Sequence, residues 1–344
     1  MSSRLGVGIV GAGPVTQAIH LPVLATLTHK YRVVRIMDVD PVTAISVAAG
    51  AGAEPATTLE EVLEDPAVDV VAITSPNKFH AGQLVATCRA GKRGVMCEKP
   101  LAISLVEADA VDAAASETGT PVVVGAMHVY DPAVRAAFAR WEELGETASL
   151  VLSTIYLPGN DIFIGQATEQ MPAQPPPADR VAPPSPTDAD RLRAGILGLA
   201  SHAIPLVRSA VPTITSLGFA QPMAPWGYGF GWAAGNASVE MFGVMRGSWG
   251  PDWRLRVVGQ KHEMRISFPP SYVLAGSARA EIVGPDKTEA WEFGQNGYQA
   301  LWTELYAEIN GAAPIVPFAR AVDDLRFTLH LADLTEKLLG GTAA

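Results

Sequence analysis

Four short runs in the first third of the chain, VGIV (residues 7–10), VVRIM (33–37), VDVVAI (68–73) and PVVVG (121–125), are apolar almost without interruption. A strand with one face in water alternates apolar and polar residues, whereas a strand covered on both faces does not. Stretches with helical spacing lie between these runs. The order reads strand 6–10, helix 15–27, strand 32–38, helices 41–50 and 58–64, strand 69–74, helix 79–90, strand 94–97, helix 104–117 and strand 121–126. Alternation of buried strands with helices predicts an α/β doubly wound parallel sheet.

The pattern changes after about residue 145. Segments 148–157, 213–220, 237–246, 253–259, 262–268, 279–284 and 287–293 follow one another with turns between them, which predicts a large, mostly antiparallel open sheet. Helices 190–209, 297–310 and 319–339 flank it. The proline-rich stretch 172–187 has no periodicity and reads as a loop or arm. No internal repeat is visible. A chain of 344 residues, 48% of them hydrophobic, is too long for one ordinary core. Two domains are expected: 1–126, and an α/β domain at 127–344 whose final helices can pack back on the first.

Charge and cysteine content narrow the partners. Lys+Arg number 25 against 35 Asp+Glu, a net charge of -10 with no block of like sign, so neither nucleic acid nor an anionic membrane is an expected partner. Cys88 and Cys97 fit reduced thiols rather than a disulfide framework. With no basic-then-apolar leader and no apolar run long enough to span a bilayer, the cytoplasm is the expected compartment.

The turn after the first strand reads Gly11-Ala12-Gly13-Pro14-Val15-Thr16 and opens a helix. One glycine permits the tight turn, the next lets backbone approach a pyrophosphate, and the helix start supplies amide donors; Thr16 stands at the third small position. A carboxylate is then expected at the end of the second strand, and Asp38 is there. It would accept from both ribose hydroxyls and repel a 2′-phosphate, which favours NAD over NADP, and Arg35 does not reverse that preference. The turn Thr74-Ser75-Pro76-Asn77, with His80 beyond it, follows another strand. Its backbone amides would face the cofactor, and Asn77 and His80 would lie toward the nicotinamide. The strand 94–97 runs directly into Glu98-Lys99-Pro100, where proline stiffens the lysine's backbone. An amine at a strand's carboxyl end, on the ligand-binding edge of such a sheet, is a candidate proton-transfer group. No metal is expected.

The succession GAG…HLP, Asp38, TSPN..H, CEKPLA and VVVGAMHVYDP resembles the Gfo/Idh/MocA family, the relatives of glucose-fructose oxidoreductase and inositol dehydrogenase. The resemblance is dense over residues 5–135 and thinner over 195–208 and 297–339. It implies a Rossmann domain followed by an open-sheet α/β domain, bound NAD(P), and hydride exchange at a secondary hydroxyl or ketone of a sugar, polyol or inositol. Lys99 would hydrogen-bond the reacting oxygen. A histidine of an Asp-x-x-x-His pattern, here His202, would act as acid or base, and a homodimer or homotetramer would form through the sheet. The apolar strand 237–246 is the place to look for that contact.

Two positions depart from the family pattern. Four residues before His202, on the same face of the expected helix, stands Gly198 and not an aspartate, so His202 reads either as acid–base group or as a core histidine; Asp161, Asp188 and Asp190 are possible substitutes. His128 stands where relatives often have arginine, and a neutral imidazole suits an uncharged polyol. Tyr130 and Tyr156 are candidates for the rim, Tyr156 for substrate contact. The aromatic stretch 226–232, WGYGFGW, reads as a loop, an interface patch or a sugar-stacking surface. Two further readings stay open: a non-catalytic NAD-binding regulator, and a redox-assisted glycosidase with tightly held NAD.

Overall fold

The computed structural model describes residues 4–167, 185–247 and 250–341. It divides into two compact units: the first runs through Gly125 and includes Leu301–Val322, and the second takes Ala126–Phe163, Pro186–Ala300 and the chain from Asp323.

The first unit holds a six-stranded sheet of β1 (Leu5–Val10), β2 (Tyr31–Met37), β3 (Glu54–Ala56), β4 (Val70–Ile73), β5 (Gly94–Cys97) and β6 (Val122–Val124), in the order β3-β2-β1-β4-β5-β6. Every pairing is parallel. β1, β4, β5 and β6 are buried throughout, as their unbroken apolar runs require. The sheet is therefore doubly wound, with its order reversing beside β1. β3 was not expected; it is the three-residue edge strand Glu-Pro-Ala, too short and too polar to register as a strand pattern. The carboxyl ends of the strands put Gly11, Asp38, Thr74, Glu98 and Gly125 along one edge, where such sheets bind ligands.

A late segment returns to this unit. The part of helix Gly297–Ile309 from Leu301 onward lies on β5, where a Cβ on Gly94 would come within 2.6 Å of Ile309 Cδ1. Tyr31 Oη donates to the Trp302 carbonyl at 2.8 Å, joining that helix to β2.

The second unit holds an eight-stranded sheet: β7 (Leu150–Pro158), β8 (Ser216–Pro222), β9 (Trp226–Ala234), β10 (Ala237–Gly247), β11 (Asp252–Val258), β12 (Glu263–Ser267), β13 (Arg279–Val283) and β14 (Thr288–Trp291). The order is β14-β13-β12-β11-β7-β10-β9-β8, antiparallel except for the β7–β10 pair. β9 corrects the reading of WGYGFGW. Tyr228, Phe230 and Trp232 are buried and stack in sequence, with ring centroids 5.0 and 6.1 Å apart. The intervening glycines occupy the other side of the pleat, where Phe219 and Phe242 lie against Gly231 and Gly229. Aromatics at every second position make this a core strand, not a loop or a sugar platform.

The predicted helix 190–209 is broken into Asp188–Gly198, a 3-10 turn Ala200–His202 and Ile204–Ala210. Gly198 has low helix propensity and Pro205 has no N–H for an unbroken helix, so apolar periodicity continues through a backbone that does not. Helices Pro132–Glu143 and Asn160–Ala167 were not expected. Of the proline-rich stretch, 172–184 lies outside the described residues; Thr187 caps the helix that follows. Among the described residues no helix is long and apolar enough to cross a membrane.

Register places Trp253, Ile155, Gly243 and Tyr228 in one row across β11, β7, β10 and β9. The Tyr228 ring covers Gly243, where a Cβ would lie 2.5 Å from Cε1 and 2.7 Å from Cζ. Gly243→Ala should therefore lower stability by roughly 1–3 kcal/mol through overpacking, read as a reduced midpoint in denaturant unfolding with unchanged slope.

Candidate active site

The turn after β1 is built to stay open on one side. Gly11 has φ +103°, and a Cβ there would lie 2.8 Å from Ser75 N and 2.9 Å from Ser75 Cα, so only glycine fits. A Cβ on Gly13 would meet nothing within 4 Å, which leaves backbone there accessible to a ligand. Side chains fix the turn from behind. Thr16 Oγ1 and Thr74 Oγ1 both reach the Gly11 carbonyl, at 2.5 and 2.8 Å, and Gln17 Nε2 donates to Ala12 O at 2.7 Å. Asp38 Oδ2 accepts from Ala12 N at 2.9 Å and Oδ1 from Asp40 N at 3.0 Å, and each oxygen keeps acceptor capacity. Open backbone, a helix start beginning at Pro14 and Val15, and this carboxylate together suit a dinucleotide. Thr16 and Thr74 serve as pins for the turn.

The 74–80 segment behaves differently from expectation. The Thr74 amide is taken by Val10 O at 2.9 Å within the sheet, Ser75 Oγ donates to Gln83, and Pro76 and Asn77 are exposed. His80 is buried, with Nδ1 2.8 Å from Pro100 O and Nε2 2.7 Å from Ser75 O. Both ring nitrogens thus lie within hydrogen-bond distance of backbone carbonyls, and whichever carries the proton ties the His80 helix start to one of these loops.

The Glu98 side chain is engaged inside the first unit. His20 Nε2 lies 2.9 Å from Oε1, and Oε2 accepts from Lys99 N at 3.2 Å. The carboxylate covers Gly125, where a Cβ would come within 2.5 Å of it. Burial pushes this carboxyl up, but the His20 hydrogen bond and the nearby Lys99 charge outweigh it and hold the group below its usual range. Burial lowers the proton affinity of the Lys99 amine, and the Glu98 charge opposes part of that effect. The Lys99–Pro100 peptide bond is cis.

In the second unit, His128 lies within the 3-10 turn Met127–Val129 and His202 ends another, Ala200–His202, and both are buried. Their ring centroids are 6.3 Å apart. Trp253 meets both edge-on, at 4.6 Å from His128 and 5.4 Å from His202, and Phe268 lies 4.2 Å from His128. Burial alone lowers His128 to about 3, so its ring is neutral. His128 Nε2 and Trp253 Nε1 are buried without an internal hydrogen-bond partner, one a nitrogen that can accept or donate and the other an N–H. Sequence reading missed Trp253 and Phe268; the signal for Trp253 was the alternation of DWRLRVV, which turns Trp253, Leu255 and Val257 inward.

Other candidates lie elsewhere. Gly198 ends its helix and His202 sits beyond the break, so the two do not share a helix face. Asp188 pairs with Arg191, and Asp190 completes a capping box with Thr187, so both serve the helix N-terminus. Asp161 lies in the first turn of the short helix after β7. Tyr130 is buried at the end of the His128 turn. Tyr156 is half-buried and belongs to the alternate set of β7 with Leu152 and Thr154, not with inward-facing Ile155.

Residues 5–126 match the model of the oxidoreductase family with the NAD-binding Rossmann fold. A 1,5-anhydro-D-fructose reductase of Ensifer adhaerens is 39% identical over 107 residues, 30% of this chain and 31% of that protein. An inositol 2-dehydrogenase of Rubrobacter xylanophilus is 37% identical over 142 residues, 40% of each chain. The matched stretches thus span well under half of these relatives. The fold likeness is more extensive: a UDP-N-acetylglucosamine 3-dehydrogenase, GnnA, from Acidithiobacillus ferrooxidans superposes with TM-score 0.73 at 16% identity, covering 98% of this chain and 100% of that one. KijD10, a 3-ketoreductase from Actinomadura kijaniata crystallised with NADP, gives 0.71 at 16% identity over 97% of both.

The neutral His128 has a stability consequence. Its folded proton affinity lies below the unfolded value, so the stability it contributes is complete above about pH 6.5 and is lost as pH falls toward about 3. His128→Gln should flatten that part of the acid-unfolding profile, by at most about 1.4 kcal/mol for each pH unit, in urea titrations run between these limits.

Proposed function

We propose that the chain, whose residues 5–126 match the oxidoreductase family with the NAD-binding Rossmann fold, is a Gfo/Idh/MocA oxidoreductase that moves a hydride between a nicotinamide cofactor and a secondary hydroxyl or ketone of an uncharged, sugar-like substrate. The observation that carries this reading is the Lys99 amine, set beside an ionised Glu98 at the same strand-end edge as Gly11, Gly13 and Asp38. Gly11 to Val15 and Asp38 would hold the cofactor. When bound, it supplies the hydride acceptor or donor.

The chain's own task is the proton. As a carbinol is oxidised, its hydroxyl proton must leave oxygen, and a positioned amine whose proton affinity is lowered toward working pH accepts it well. Burial of Lys99 provides that lowering, and Glu98 provides a counter-charge for the ammonium that results. In the reverse direction the same ammonium returns a proton to the carbonyl oxygen. His128 and Trp253 offer neutral hydrogen-bonding groups that favour hydroxyls over carboxylates or phosphates, because an ionised group would be desolvated there without a counter-charge. The named reductase and inositol dehydrogenase relatives support the same substrate class. The regulatory and glycosidase readings have no observation of their own in their favour. We also propose that copies associate through the β7–β10 side of the large sheet, where Phe219 and Phe242 stack at 5.8 Å, and that the protein works in the cytoplasm.

Lys99→Met should retain nucleotide binding, followed by quenching of tryptophan fluorescence, and lose roughly 100-fold or more in turnover, followed as NADH formation over a panel of inositols, polyols and aldoses. Turnover at the wild-type level would remove Lys99 from the chemistry. For the cofactor we propose NAD. Asp38→Ala should then shift the ratio of kcat/KM for NAD over NADP toward NADP by roughly tenfold or more, the effect of removing a like charge worth about 1.4 kcal/mol.

A further inference from the structure

His20, at the end of the π-helical segment Thr16–His20, is fully buried and touches two side chains from distant parts of the first unit. Trp302 Nε1 donates to His20 Nδ1 at 3.2 Å, and His20 Nε2 lies 2.9 Å from Glu98 Oε1. An indole nitrogen only donates, so Nδ1 must accept, and the proton of the imidazole then sits on Nε2, pointing at the carboxylate. A contact spanning 282 residues of sequence thus selects the tautomer. Trp302 is itself fixed, by the Tyr31 hydroxyl on its carbonyl and by the Tyr31 ring at 5.1 Å, edge to face.

We propose that Trp302, His20 and Glu98 form a hydrogen-bonded chain that keeps the Glu98 carboxylate anionic next to Lys99, which makes His20 and Trp302 positioning residues for that amine. The proposal rests on the reading of Lys99 as the proton-transfer group.

A carboxylate used only as a fastener would work equally well as an amide. Here the arrangement preserves charge. One oxygen takes the His20 N–H, the other takes the Lys99 backbone N–H, and Gly125 leaves the space that the group occupies. The ionisable groups that reach Glu98 are His20 and Lys99; the neighbouring Cys97 thiol is pushed up by burial and by the Glu98 charge, and Lys99 responds to Glu98. His80 meets this segment only through the Pro100 carbonyl. A fixed anion limits how far burial can depress the lysine. It also places a counter-charge before the proton arrives, so no group must reorient when the ammonium forms.

The test reads Lys99 directly, without cofactor or substrate. The rate of acylation of its amine by a small anhydride, measured peptide by peptide in mass spectrometry across pH, reports the neutral fraction. Glu98→Gln should move the midpoint of that profile down by about one pH unit or more, the usual effect of removing an adjacent opposite charge. Trp302→Phe keeps a ring against Tyr31 but deletes the indole donor. The Nε2–H tautomer is then no longer imposed on His20; when the ring carries its proton on Nδ1, Nε2 has none to give Glu98, the local negative charge is held less firmly and the midpoint moves down, by less. The acidic limb of kcat should follow, with nucleotide Kd unchanged. An unmoved midpoint in cooperatively folded Trp302→Phe overturns the proposal, whether or not Glu98→Gln folds. Moved midpoints with full turnover in Lys99→Met would sustain the chain of bonds and refute the role of the lysine.

Discussion

An ionised carboxylate inside an apolar sheet costs on the order of several kcal/mol unless hydrogen bonds and a counter-charge offset it. Glu98 is such a group, and much of the first unit is arranged to satisfy it. β5 ends just before it, Gly125 directly after β6 leaves it room, and the helix after the Gly11 turn delivers His20. That helix runs its first residues as a π-helix, whose wider turn lets Thr16 reach back to Gly11 O while His20 faces Glu98. The helix containing Trp302 completes the set, and it can approach because β5 begins with a glycine. The Gly11 turn and the lysine segment are therefore mechanically one object.

Lys99 gains from this on both sides. Glu98 before it is held by His20, and Pro100 after it is held by His80, which also grips the Ser75 carbonyl. Two buried histidines thus fix the backbone around the amine without using its nitrogen. The second unit follows another principle. Its two imidazoles sit among Trp253 and Phe268, with the polar atoms of His128 and Trp253 unpaired and no charge on His128. The first unit thus buries a paired ionised group, and the second buries neutral donors and acceptors.

Features that depend on neighbours in sequence were legible before any coordinates. The continuous runs of β1, β4 and β6 report burial on both faces, Gly11 and Asp38 are spaced by one strand–helix–strand unit, and Lys99 follows its strand directly. Features that depend on distant partners were not. Nothing near His20 announces Trp302, and nothing near His128 announces Trp253. β9 was obscured for a different reason: glycine usually signals a turn, and only the two-residue period of its aromatics reveals a strand in which glycines make room for phenylalanines from both neighbours. The internal partners of Glu98, His80 and Thr74 were not legible either, because sequence gives position along a strand end but not which way a side chain turns.

The absent aspartate at position 198 is best understood through the same distinction. Periodicity suggested that Gly198 and His202 lie on one helix face, so the glycine looked like a lost partner. In the fold the helix stops at Gly198, and a Cβ there would approach the Trp226 ring to 3.1 Å. A carboxylate at this position would have to displace that indole and would face a surface of rings. The glycine thus stands at a helix end packed tightly on β9. The edge of Trp253 contacts both imidazoles with a single side chain. A ring held by packing keeps its geometry without adding negative charge, and that suits a unit whose other imidazole is already kept neutral by burial.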